Sequence, residues 1–181
     1  MCEVGRSATV QKAFASDALD PMISFGVTVH APDGSIVTSN DGIRLENVSP
    51  ERIYEFTPDR FGMYSVEYMA SDSFGNEQKF VYIISVLDNV APEIAFSGDP
   101  MKTGKVGEAF IIPDVTVTDN VSAAENITVS RYVRTVSGRM TTIGAKSNSF
   151  IPSRKGVYTV YVIAHDEAGN VAVKTYDVTV A

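Results

Sequence analysis

Tryptophan is absent from this 181-residue chain, cysteine occurs once and histidine twice. The single thiol, Cys2, forbids an intrachain disulfide, so the fold must rest on apolar burial and backbone hydrogen bonds. Cys2 has no apolar lipobox stretch ahead of it and reads as an incidental thiol. Zinc-type spacing and phosphate-cradling glycine loops are both missing. Basic charge is scarce: 15 Lys and Arg against 22 Asp and Glu leave a net charge of −7. That balance argues against nucleic acid or an anionic membrane surface as partner. No apolar run reaches the ~18–20 residues of a membrane helix, so no membrane insertion is expected. Sustained helical periodicity is missing too.

What is present is strand material. Val, Ile, Thr, Tyr and Phe recur in short alternating runs, punctuated by Gly, Pro, Asn and Asp. The runs also repeat. Residues 56–86 lie on residues 150–180 without a gap, displaced by 94 positions. Identical columns include Phe56/Phe150, Pro58/Pro152, Arg60/Arg154, Gly62/Gly156, Tyr64/Tyr158, Val66/Val160, Asp72/Asp166, Gly75/Gly169 and Tyr82/Tyr176. A period this long means two copies of one sandwich-sized unit. The expected fold is all-β, two tandem immunoglobulin-like β-sandwiches over residues 1–88 and 89–181.

In the second copy, residues 93–96 read as a first strand, and residues 110–112 as its continuation after Gly104 and Gly107. Residues 115–118 alternate strictly, as a half-buried strand should. A third strand is expected at 127–133, one or two short ones within 140–151, and a final hairpin from 156–164 and 171–180. Inward faces should be Tyr158, Val160, Val162 and Ala164, then Tyr176, Val178 and Val180. The first copy should use Tyr64, Val66, Tyr68, Ala70, Tyr82, Ile84 and Val86. Its front half matches less well. Residues 10–14 resemble 106–110 at a spacing of 96, and the counterpart of 93–96 would fall before residue 1. The first strand of that copy is therefore missing or irregular, and both ends are expected to be cuts in a longer array.

Two motifs recur. Gly-x-Tyr-x-Val, at Gly62/Tyr64/Val66 and Gly156/Tyr158/Val160, fits a strand entered by a corner tyrosine whose hydroxyl bonds back to the corner backbone. Asp-x-x-Gly-Asn, at Asp72/Gly75/Asn76 and Asp166/Gly169/Asn170, suits a hairpin turn. Asp there accepts turn amides, and Gly or Asn takes the left-handed conformation. Both motifs are expected to be structural.

The segments Asp88-Asn89-Val90-Ala91-Pro92-Glu93-Ile94, Val117-Thr118-Asp119-Asn120, Gly156-Val157-Tyr158-Thr159-Val160-Tyr161 and Ala164-His165-Asp166-Glu167-Ala168-Gly169-Asn170 carry a family resemblance. The chain resembles bacterial extracellular immunoglobulin-like repeats found in tandem on surface proteins. The resemblance implies a secreted or cell-surface location and a stalk, spacer or adhesive role, without an activity. Its implied partners are neighbouring domains of the same polypeptide, with a surface glycan or a host protein beyond them.

Catalysis has little to stand on, since His30 and His165 fall beside turns in different copies and nothing converges a serine and an acid on either. Glycan binding, as an ancillary module beside an extracellular enzyme, is the rival reading. Its candidates are Phe74 at a hairpin tip and Tyr161, with Tyr132, on outer faces. Loop acids suggest a third chemistry. Asp59, Asp88, Asn89, Asp119, Asn120, Asp166 and Glu167 are expected near the junction of the copies, and calcium takes six to eight such oxygens.

Overall fold

The computed structural model describes residues 1–144 and 147–181. The protein is all-β and divides into two units, Met1–Asp88 and Asn89–Ala181.

The first unit holds β1 (Cys2–Glu3), β2 (Ala8–Val10), β3 (Ser24–His30), β4 (Tyr54–Phe56), β5 (Gly62–Ser71) and β6 (Glu77–Leu87). One sheet has the order β1-β6-β5-β3, and β2 pairs with β4 across the core. The alternation of β5 explains the packing: Tyr64, Val66 and Tyr68 are buried while the residues between them are not. They meet Val10, Val27, Val29, Leu45, Phe56 and Val86 in one cluster. Each such side chain contributes roughly 1.5–3 kcal/mol by leaving water. Leu45 anchors the stretch after β3, where Val29 N–H donates to Leu45 O at 2.9 Å.

The second unit holds β7 (Glu93–Phe96), β8 (Thr103–Gly104), β9 (Phe110–Ile111), β10 (Val115–Thr118), β11 (Thr128–Arg134), β12 (Met140–Ile143), β13 (Ser149–Phe150), β14 (Gly156–His165) and β15 (Val171–Val180). Its main sheet runs β12-β11-β14-β15-β8, faced by the pairs β10-β7 and β13-β9. The core falls into two clusters. One gathers Phe110, Ile112, Val133, Tyr158, Val160 and Val178; the other gathers Ile94, Ile127, Val162 and Ala164. Parallel β1 and β8 on the edge strands, with short facing strands, give an immunoglobulin-like arrangement in each unit.

Two sequence expectations need correction. Residues 110–112 do not continue the first strand: β9 pairs with β13, while β7 pairs with β10. Pro113, which has no N–H to give a ladder, separates β9 from β10. The front halves also match at a different spacing. Cys2 pairs with Val86 as Gly104 pairs with Val180, and Ala8 pairs with Phe56 as Phe110 pairs with Phe150. The shift is 102, not 96. Gly5 N–H donates to Pro58 O and Gly107 N–H to Pro152 O, each at 2.9 Å, which fixes the same register independently.

Candidate functional site

Each corner is built on a glycine with φ near +130°, Gly62 at 131° and Gly156 at 133°. A Cβ at Gly62 would meet the Pro32 ring at 2.7 Å, and one at Gly156 would meet Val136 at 2.8 Å. The turn that follows from this carries the tyrosine inward. Tyr64 donates to Arg60 O at 3.2 Å and lies 3.5 Å from Asp59 Oδ1. Burial, then the Asp59 charge, raises the Tyr64 pKa. Tyr158 donates to Arg154 O at 3.0 Å and accepts from Arg154 N–H at 3.1 Å. Asp59 is held by Arg60 at 3.1 Å, and that hydrogen bond is the main reason its carboxyl sits below the ordinary range.

The hairpins are closed by their aspartates. Asp72 accepts from Phe74 N–H at 2.9 Å, Asn76 N–H at 2.8 Å and the Asn76 amide at 2.5 Å. These bonds, the Asn76 amide first, lower its pKa. Asp166 accepts from Asn170 N–H at 2.7 Å and the Asn170 amide at 2.8 Å. Gly75 and Gly169 supply the left-handed residue, at φ 85° and 91°. A brace reaches each hairpin from the loop that leads into β3 in the first unit and into β11 in the second. Asp20 accepts from Ser73 N–H at 2.7 Å, and at the equivalent place Ser122 Oγ accepts from Glu167 N–H at 3.2 Å. Asp17 and Asp119 fold those loops in the same way, each accepting two amides through Oδ1.

Of the acids singled out from the sequence, Asp119 and Asp166 of the second unit come together, each offering an oxygen within 4.8 Å of the other. Local topology explains this. Asp119 follows β10, which ends opposite Glu93, and Asp166 opens the hairpin whose Asn170 amide donates to Val90 O at 3.0 Å. Asp166 is buried, and the Asp119 Oδ2 atom is buried with no hydrogen-bond partner among the described residues. A hard cation accepts such an oxygen set, so the chemistry fits calcium. Asn89, Asn120 and Glu167 are exposed, Asp88 of the first unit is buried, and Asp59 is engaged with Arg60.

Phe74, at a hairpin tip, is 81% exposed. Tyr161 stands directly across the ladder from Tyr132, both half-buried. Phe74 and Tyr161 belong to different units. His30 Nδ1 lies 3.5 Å from Gly34 O, and His165 is exposed on β14. Among the described residues no serine, cysteine or acid hydrogen-bonds either ring. The sequence reading missed an aromatic groove of about 580 Å³ in the first unit, beside Tyr68, Phe80 and Tyr82. One signal was available: aligned at 94, Gln78 and Phe80 stand where the second copy has Ala172 and Lys174.

No helix among the described residues is long and apolar enough to cross a membrane. No family model matches the chain. A curated relative, "Uncharacterized 81.3 kDa protein" of Acholeplasma phage L2, is 26% identical over 173 residues; they cover 92% of this chain and 18% of that protein. The chain thus spans less than a fifth of that relative's length. Among solved structures it is similar to the fibronectin(III)-like modules of CbhA from Clostridium thermocellum. There the TM-score is 0.41 and the identity 17%, covering 99% of this chain and 87% of that one. It is also similar to a tetra-tandem repeat in the extending region of a large adhesion protein. That match has a TM-score of 0.43 and 18% identity, covering 92% of this chain and 43% of that one.

Proposed function

We propose that the chain is a non-catalytic structural or adhesive module, a spacer or stalk within a larger secreted or cell-surface bacterial protein. The observation that carries this reading is where the repeated residues go. Tyr64/Tyr158, Asp72/Asp166 and Gly75/Gly169 are spent on corners and hairpins, and the repeated valines on cores. These repeated side chains serve the fold in both copies. Assays on glycan, peptide and ester substrates test it, with no turnover expected. Turnover lost on mutating His165 or a single acid would sink the reading.

Calcium is part of the proposal, held by Asp119 and Asp166 of the second unit, because the unpartnered Asp119 carboxylate oxygen lies buried beside a second carboxylate. The ion would supply charge neutralisation and rigidity. A second reading, ancillary glycan binding, is favoured by the 81% exposure of Phe74 and by the Tyr132–Tyr161 pair. Retention in polysaccharide gels, lost in Phe74→Ala or Tyr161→Ala, would promote it.

A further inference from the structure

The groove of the first unit has a filled counterpart. At the spacing of 102, residues 13–16 of the first unit correspond to β10. At the spacing of 94, Gln78, Phe80 and Tyr82 correspond to Ala172, Lys174 and Tyr176. In the second unit the space between those two walls is taken by β7. It pairs with β10 along its whole length, from Val115↔Phe96 to Thr118↔Glu93. Phe96 sets its edge against the Tyr176 ring at 5.5 Å, Ile94 is buried with Val162 and Ala164, and Lys174 Nζ donates to Ile94 O at 2.8 Å.

In the first unit the same space is open. Phe14 on one wall is 72% exposed and Phe80 on the other 62%. Among the described residues, the backbone N–H and C=O groups of Phe14, Ala15 and Ser16 make no hydrogen bond, whereas Ala13 N–H donates to Pro50 O at 2.8 Å on the far side. A smaller cavity of about 210 Å³ continues the groove toward Asp72 and Asn76. The corresponding Asn170 is the residue whose amide takes the carbonyl of Val90, just ahead of β7. Shape, unpaired backbone and the ladder filled in the sister unit all describe one kind of occupant.

We propose that this groove is a strand-receiving slot. Its occupant is an extended segment of the same polypeptide, apolar at alternate positions as Ile94 and Phe96 are in β7, running antiparallel to residues 13–16 and on into β1. Backbone pairing supplies the affinity, and the aromatic wall of Tyr68, Phe80 and Tyr82 selects the alternating side chains. The in-chain source follows from connectivity. β7 reaches β8 through residues 97–102, and β1 is the counterpart of β8, so a strand in the slot feeds β1 by an equally short link.

The test extends the full chain, placing a second copy of residues 89–102 directly ahead of Met1. The melting temperature of the first unit should rise by about 4 °C or more. Amide exchange at Phe14, Ala15 and Ser16 should slow about tenfold or more. An extension with Asp in place of the copied Ile94 and Phe96 should do neither. No change with the parent extension, or an equal change with the Asp version, overturns the slot. Three results on the unextended chain would overturn the occupant instead. They are full protection of residues 14–16 by an equimolar free peptide of residues 89–102, protection that appears only on self-association, and protection by a soluble β-glucan.

Discussion

Tyr82 and Tyr176 occupy one column of the repeat, yet their hydroxyls live differently. Tyr82 Oη accepts from Gln11 N–H at 3.4 Å, whereas Tyr176 Oη is buried with no partner among the described residues. Burial alone pushes the Tyr176 pKa up to about 12. The cause is β7. In the second unit Phe96 covers the ring edge-on; in the first unit Tyr82 lines an open groove beside Tyr68 and Phe80. Both rings are half-buried, but the Tyr176 hydroxyl is sealed whereas Tyr82 lines a groove, and the neighbour decides which. Identity of sequence at a column does not carry identity of environment when a whole strand differs.

The corner glycines give the largest test of the comparison. Both hold φ near +130°, a region that residues with a Cβ adopt at a cost of about 1–3 kcal/mol. Gly62→Ala adds a collision with the Pro32 ring, which cannot rotate away; Gly156→Ala meets the Val136 side chain, which can. Gly62→Ala should therefore cost roughly 2–4 kcal/mol and Gly156→Ala about 1 kcal/mol less. Amide exchange in β5 and β14, read separately, reports each unit. Equal losses in both would mean that the backbone strain dominates and the neighbour does not matter.

The corner tyrosines come next. Tyr158 both donates to and accepts from Arg154, while Tyr64 donates to Arg60 through a longer bond. Tyr158→Phe leaves Arg154 N–H without its acceptor and should cost about 1–2 kcal/mol; Tyr64→Phe should cost about half as much. Urea unfolding of each variant measures the difference. Unchanged midpoints for Tyr158→Phe would remove the corner bond as a source of stability.

How far this could be read from the sequence depended on where the repeat was strict. The columns from Phe56 to Val86 matched without gaps, and the inward faces read there, such as Tyr64, Val66, Tyr158 and Val160, are the ones buried. The front halves were opaque because the loops differ in length and Ala8 stands where Phe110 does, so side-chain identity gave no register. Backbone bonds to Pro58 and Pro152 did give it, and those are invisible in a sequence. Of the acids, Asp166 was recognisable from turn chemistry, and Asp119 only as a loop acid. Their meeting with each other needed the loop after β10 to pack on the last hairpin, which alternation alone does not fix. The groove was hidden for a related reason: an open space has no motif.

Calcium sharpens the same comparison at a smaller scale. Asp17 and Asp72 repeat the places of Asp119 and Asp166, but among the described residues Asp119 keeps a buried carboxylate oxygen without a partner and Asp17 does not. At a concentration several times its dissociation constant, an ion bound only to the folded state adds about 1 kcal/mol. Millimolar calcium, the range of extracellular modules, should raise the melting temperature of the second unit by a few degrees. Asp119→Asn should erase that rise, and Asp17→Asn should not. A rise that survives Asp119→Asn would place the ion elsewhere.

The smallest effect has the opposite sign. Removing a hydroxyl normally costs stability where it held a hydrogen bond, but the Tyr176 hydroxyl holds none among the described residues and was desolvated without compensation. Phenylalanine keeps the ring that Phe96 packs against and the cation contact that Lys174 makes with Phe96 at 5.5 Å. Tyr176→Phe should thus be neutral or stabilise the second unit by up to about 1 kcal/mol. Tyr82→Phe, which deprives Gln11 N–H of its acceptor, should destabilise the first unit slightly. Both are read from urea midpoints at constant slope. If Tyr176→Phe destabilises more than Tyr82→Phe, the buried hydroxyl has a partner such as an internal water, and the strand that seals it has trapped one.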